Sequence, residues 1–374
     1  MSNFMPSLEG FAKGTFATVA GLSTLSAGLL WYGQNYLIYP SAFPQGSRVD
    51  VATPEEYGIP FQHLTLETED KVSLKCYLLP QQSDLADLYP EALRVPGNSP
   101  QTGDEFISSR PTVIMFHGNG GNHGHRIPLA KIFFMKMRCN VLMMSYRGYG
   151  HSEGSPSEKG IRMDAQAALN YLLSDPRFSQ TPIILYGQSI GGAVSIDLAS
   201  RNPDKIAALI LENTFTSLPD LIPHALPVLS RVTFLCHQKW DSASKISLIP
   251  ATTPILMLSG KKDQLIPREH MSALWEIVTK RGQGKKGSGS SSNEGKGMER
   301  GKYIEFEFGD HSACIHLASF FGVGVDCVWD VLDDTCVQPG YWAAIAEFVA
   351  SLGDDTRLTP PPSSSSSAPK PVRF

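Results

Sequence analysis

A serine flanked by glycines, a later aspartate and a still later histidine are the residues whose types and order could do covalent chemistry in this chain. Ser189 lies in GQSIGG, Gly187 to Gly192, between the apolar run Pro182 to Tyr186 and a helical pattern from Gly191 to Ser200. A GxSxG at a strand-to-helix turn presents a hydroxyl for attack, and glycines two positions before and after allow the close backbone approach that such a turn needs. Attack on a carbonyl requires a base. His311, closing YIEFEFGDH after the last strand pattern, is the candidate, because an imidazole of pKa about 6.5 takes and returns a proton near neutrality. A carboxylate must orient that ring, and Asp263 in SGKKDQLIP follows an apolar run directly, with Glu212 as the alternative acid and His316 as a weaker substitute for His311. The oxyanion formed on attack needs backbone donors, which the N–H of Ile190 and that of Asn119, in HGNGGN, are predicted to supply. HGNGGN lacks the GK[ST] ending of a phosphate loop and the GxGxxG spacing of a dinucleotide site. Arg147, in YRGYGHSEG, is predicted to brace a turn beside the site in preference to contacting substrate.

The elements that must position these groups follow from periodicity. FQHLTLET and VSLKCYLL alternate apolar and polar residues around Glu69-Asp70-Lys71 and read as an antiparallel hairpin. PTVIMFHG, NVLMMSY, PIILYGQS, IAALILE and PILMLSG are short apolar runs, separated for the most part by helical patterns, and YIEFEF supplies a last strand. Such alternation predicts a mostly parallel sheet with flanking helices, and with the order Ser, Asp, His it predicts the α/β-hydrolase fold. A Pro- and Leu-rich stretch at 214–250 fits a small cap. The polar segment 81–110 reads as a loop insertion, 281–302 as a low-complexity loop, and 353–374 as a disordered Pro/Ser-rich tail.

With 374 residues, 42% of them hydrophobic, the chain can bury one large catalytic domain, assigned to 50–352. A formal net charge of -4 gives no basic field, so no nucleic-acid partner is expected. The six cysteines follow no metal or disulfide-scaffold spacing, Cys139 reads as a buried thiol, and neither metal nor cofactor is expected. Gly14 to Ser47 carries no charged residue, and its first part is long enough to cross a bilayer as an uncleaved helix, so 1–36 reads as a membrane anchor. Trp31, Tyr32, Tyr36 and Tyr39 read as an interfacial aromatic belt. Lys13 before the segment favours a cytosolic N-terminus, and a single-pass protein of the endoplasmic reticulum or another endomembrane is expected.

Taken together, YLIYPSAFPQGSR, TPEEYGIPF, HGNGGN, SYRGYGHSEGSPSEKGI, YGQSIGGAV, LENTFTSLPDL, SGKKDQLIP and DTCVQPGYW resemble the α/β-hydrolase domain-containing protein 13 family, including its fungal bud-emergence-type members. The resemblance spans most of residues 30 to 350 and implies a membrane-associated serine hydrolase with Ser189, Asp263 and His311 at the triad positions. One departure stands out. The family's histidine is followed within a few residues by DTC and QPGYW, whereas here Ala313 to Leu332 intervenes and is read as translated intron or a gene-model error. The expected activity is cleavage of an ester or thioester of a lipid or acylated protein. A non-catalytic scaffold in polarity or trafficking and a serine peptidase are the competing readings.

Overall fold

Apolar runs bounded by turn residues become the strands of one sheet, and the patterns between them become its covering helices. The computed structural model describes residues 8–82, 103–282, 301–311 and 335–353. In chain order the elements are α1 (Leu8–Ile38), β1 (Gln62–Glu67), β2 (Ser73–Leu79), α2 (Gly103–Ser108), β3 (Thr112–Phe116), α3 (Ile127–Met135), β4 (Asn140–Met144), α4 (Glu158–Ser174) and β5 (Ile183–Gln188). There follow α5 (Ile190–Arg201), β6 (Ala208–Glu212), α6 (Leu218–Ala225), α7 (Ser242–Ile246), β7 (Ile255–Gly260), α8 (Arg268–Lys280), β8 (Lys302–Phe306) and α9 (Tyr341–Gly353).

The sheet order is β1-β2-β4-β3-β5-β6-β7-β8. β2 is antiparallel to β1 and to β4, and every pairing from β4 to β8 is parallel. β3 to β7 are buried on both faces, which is why they read as continuous apolar runs and not as alternating ones. Successive side chains feed two cores. Ile114, Phe116, Leu142 and Met144 pack on the face covered by α4, α5 and α8, whereas Val113, Met115, Val141 and Met143 pack on the face covered by α3 and α9. This is an α/β-hydrolase fold. All parallel strands end at one edge, and the loops leaving that edge carry Ser189, Asp263 and His311.

Several sequence expectations need correction. The stretch 81–110 is not irregular throughout its described part, because Gly103–Ser108 is helical with Phe106 and Ile107 buried. Asn140 pins both ends, accepting from Gln81 N (2.9 Å) and donating to the carbonyls of Ile107 (3.0 Å) and Arg110 (3.2 Å). Arg281, placed in the low-complexity loop, is buried and donates to the carbonyls of Val278, Pro250 and Thr253. Lys302 opens β8. Tyr39 is no belt residue: it is 3% exposed, donates to Gln238 Oε1 (3.0 Å) and accepts from Trp240 Nε1 (2.9 Å). Trp31, Tyr32 and Tyr36 are exposed. Residues 313–332, His316 and the tail from 354 lie outside the described residues.

Arg147 is a brace. Its guanidinium is bidentate on Asp70 (2.7 and 2.8 Å) and its Nε reaches Asp164 Oδ1 (2.8 Å), which ties the β1–β2 turn to α4. Asp164 is fully buried, so removing its cation strands a carboxylate without water. Arg147→Ala is therefore expected to lower unfolding stability by about 3–5 kcal/mol, measured by urea denaturation, and Arg147→Lys to recover only part of it because an ammonium cannot make the bidentate contact.

Candidate active site

Ser189 sits between β5 and α5 with φ 55° and ψ −121°, a conformation that few residues with side chains adopt. Two backbone contacts hold it there: its N–H donates to Glu212 O (2.9 Å), and its carbonyl accepts from Thr214 Oγ1 (2.8 Å). The flanking glycines are steric requirements. A Cβ on Gly187 would lie 2.2 Å from the Gly191 carbonyl oxygen, and one on Gly191 would lie 2.0 Å from the Phe116 carbonyl oxygen. Because both obstacles are backbone, Gly191→Ala is expected to cost about 3 kcal/mol or more. The check is the thermal midpoint beside a Gly14→Ala control, where nothing lies within 4 Å of the added methyl.

Asp263 and His311 are brought together. His311 Nδ1 and Asp263 Oδ2 are 2.6 Å apart and buried, while Asp263 Oδ1 accepts from the N–H groups of Leu265 (2.9 Å) and Ile266 (2.7 Å). That arrangement puts the Nδ1 proton toward the carboxylate and leaves Nε2 as the basic nitrogen. Burial works against a charged His311, but the Asp263 carboxylate, with Glu212 and Asp310 behind it, outweighs burial and holds the imidazole above its ordinary pKa. Among the described residues no hydrogen bond joins Ser189 Oγ to His311 Nε2. Such bonds are often long in free enzymes and tighten when substrate arrives.

Asn213, absent from the sequence-derived site, holds the three loops in register. Its N–H donates to Leu258 O (3.1 Å), its Oδ1 accepts from Gly260 N (2.8 Å), and its Nδ2 donates to Asp310 O (3.3 Å) and Thr335 Oγ1 (3.0 Å). It adopts φ 42°, which asparagine tolerates better than most residues, and that preference after a strand was the available signal in LENTF. Glu212, the alternative acid, makes no hydrogen bond to His311 among the described residues. It accepts from the hydroxyls of Tyr186 and Tyr341 and from Gln188 Nε2 (3.1 Å), a buried polar cluster beneath the site. Burial, reinforced by the nearby Glu212, keeps both phenols protonated far above their ordinary range.

Ile190 opens α5, so its N–H has no intrahelical acceptor and carries the positive end of the helix dipole. The Asn119 loop is fixed from both sides: Asn119 Oδ1 accepts from Tyr149 OH (2.6 Å), and its Nδ2 donates to the carbonyl of Ile38, the last residue of α1. Ser189, Ile190 and Asn119 all line one cavity of about 240 Å³, whose other walls come from α1, α6 and the turn Pro227–Leu235. Of the 214–250 segment, residues between Phe215 and Cys236 line this cavity, whereas Trp240 does not and is held by Tyr39. Among the described residues no group of His, Cys, Asp and Glu is placed to hold a metal. The described cysteines, Cys76, Cys139, Cys236 and Cys336, are buried thiols outside any disulfide among the described residues, and burial pushes the Cys139 thiol up to about 12.

Fold and site together define an α/β-hydrolase. The family model for the alpha/beta hydrolase fold matches residues 111–233. The chain is 39% identical over 333 residues to Protein bem46 of Schizosaccharomyces pombe, covering 88% of this chain and 90% of that one. It is 34% identical over 335 residues to a Saccharomyces cerevisiae protein named as the uncharacterized membrane protein YNL320W, covering 90% and 95%. The chain belongs to this Bem46-type family of α/β-hydrolases. An esterase of Pyrococcus furiosus shares the fold, with a TM-score of 0.54 at 15% identity over 81% of this chain and 95% of that one. Phe11–Ile38 is long and apolar enough to cross a membrane, by length and composition.

Proposed function

We propose that the chain is a membrane-anchored serine hydrolase that cleaves an ester or thioester through an acyl-serine intermediate. The observation that carries this reading is the buried Asp263–His311 pair at the sheet edge where Ser189 and Ile190 line one cavity. Ser189 Oγ attacks the carbonyl carbon while His311 Nε2 takes its proton, and the N–H groups of Ile190 and Asn119 receive the oxyanion. Collapse of the tetrahedral species breaks the bond to the alcohol or thiol, which leaves with the proton from His311. Water, deprotonated by the same nitrogen, then releases the acid and restores Ser189. No cofactor takes part in this sequence.

The test compares full-length protein in detergent on a p-nitrophenyl ester, an acyl thioester and a peptide anilide. Turnover of the first two with the anilide untouched is expected, and preferential cleavage of the anilide points to a peptidase. A single pass through the endoplasmic reticulum or another endomembrane, with the N-terminus cytosolic, is part of this proposal, and Lys13 ahead of the apolar helix supports it. Protection of the catalytic domain from protease added outside sealed microsomes checks that placement.

The scaffold reading draws on one observation, the apolar stretch Ala313 to Leu332 directly after His311. Against it, the flanks already meet, because Thr335 Oγ1 donates to Asp310 O (2.9 Å). Deleting 313–332 is expected to leave the fold intact, since loop closure favours a shorter connection by about 0.6 kcal/mol per halving of length. If the deletion variant turns over esters and the full chain does not, the insertion silences the site.

A further inference from the structure

The cavity at Ser189 is walled on one side by the same helix that is apolar enough to cross a membrane. Leu30, Gln34, Leu37 and Ile38 of α1 line it opposite Leu221 and Leu229, and none of the described lining residues is charged. At about 240 Å³ it exceeds the ~150 Å³ cavity that holds a benzene molecule, so it has room for part of a long apolar chain. The wall is fastened at its polar point. Gln34, itself buried, donates to Leu235 O (3.3 Å) and accepts from the N–H groups of His237 (2.9 Å) and Gln238 (3.3 Å). The Trp31 and His237 rings lie 4.9 Å apart beside it.

Depth follows from length. A bilayer's hydrocarbon core takes about 20 helical residues, which counted from Gly14, directly after the charged Lys13, end at Gly33. Trp31, Tyr32 and Tyr36, all exposed, then fall within a turn of that boundary, where such rings settle. The cavity-lining residues of α1 occupy the same turns of the helix. Beside them the turn Pro227–Leu235 exposes Val228 (84%) and Phe234 (74%), apolar side chains with no protein partner over most of their surface.

We infer that the substrate is a long-chain acyl ester lipid resident in the bilayer, which enters laterally between α1 and the Pro227–Leu235 turn and lays its acyl chain against Leu30, Leu37 and Ile38. Lipid ester carbonyls lie at the depth to which this geometry assigns Ser189, so the chain moves from one apolar environment into another without crossing water. The uncharged lining accommodates an acyl chain and offers nothing to an acidic or basic peptide. α1 is in this account a part of the binding site as well as an anchor. The inference rests on Ser189 being the nucleophile.

The experiment uses the full chain in phosphatidylcholine vesicles and a hexadecyl fluorophosphonate carrying a diazirine in the first half of the chain, the part the cavity can hold. After labelling and photolysis, peptide mass spectrometry locates both attachment points. The expected result is phosphonylation of Ser189 with crosslinks in residues 30–38 and in the 221–235 cap segment. Absence of the Ser189 adduct overturns the proposed function and this inference with it. An adduct at Ser189 with crosslinks elsewhere overturns this inference alone. Leu37→Trp supplies an independent reading: the ratio of p-nitrophenyl palmitate to p-nitrophenyl acetate turnover should fall at least tenfold, and an unchanged ratio contradicts the α1 wall. A palmitoylated peptide thioester cleaved faster than palmitoylglycerol in the same vesicles also overturns the lipid assignment.

Discussion

Ser189→Ala is expected to lower the turnover of a chromogenic ester by about 10⁶-fold while leaving the thermal midpoint within a degree or two of the parent. The reason for so large a catalytic effect is that the substitution deletes the atom that forms the acyl bond. The reason for so small a structural effect is that Ser189 is held through its own backbone atoms and not through its hydroxyl. The Ser189 N–H to Glu212 and the Thr214 hydroxyl to the Ser189 carbonyl both survive, and alanine inherits the same φ of 55° without a new clash. A residual acceleration over water of about 10³–10⁴-fold should persist from the oxyanion donors and from binding. Steady-state kinetics beside a melting curve separates the two effects. Loss of folding in the variant, or retention of turnover, would contradict the role given to this serine.

Asp263→Asn is expected to cost about 10⁴-fold in kcat with the fold retained. An asparagine oxygen can still accept from the N–H groups of Leu265 and Ile266, so the loop geometry survives. Its amide nitrogen then faces His311 Nδ1, which forces the proton onto Nε2 and removes the base. The pH dependence carries the same signature. His311 is active when neutral, and its carboxylate neighbours hold its pKa above the ordinary value of about 6.5, so kcat/KM should rise with pH to a plateau through an inflection above that value. In Asp263→Asn the inflection should move to lower pH. For stability the sign is opposite. A histidine whose folded pKa is raised contributes stability that is fully present below about pH 6.5 and lost as pH rises through the folded value. Urea midpoints across that window should therefore fall with pH in the parent and less in the variant.

Much of this arrangement was legible in the sequence, and the parts that were not share a physical cause. β3 to β7 are buried on both faces, so each is an apolar run that local composition reveals. Ser189 was marked by glycines whose Cβ atoms would strike backbone, and Asp263 and His311 by their positions just past strands. Asn213 was missed because its work is to join three loops whose proximity exists only after the sheet is assembled. Tyr39 and Gln34 were misread or passed over for the same reason: an apolar, uncharged stretch reads as membrane anchor, while their partners Gln238, Trp240 and His237 lie about 200 residues away. Arg281 was assigned to a glycine-rich loop by its neighbours in sequence, although three carbonyls of the fold satisfy it.

An activated Ser189 is captured covalently by a fluorophosphonate, which reacts with serines whose hydroxyl a neighbouring base deprotonates. Full-length protein in vesicles is treated with a fluorophosphonate, digested and mapped by mass spectrometry, alongside His311→Ala. A single phosphonyl adduct is expected, on Ser189, formed at a rate that falls by at least 10²-fold when the base is removed. Folded protein that takes no adduct, or takes it on another serine, contradicts Ser189 as the nucleophile.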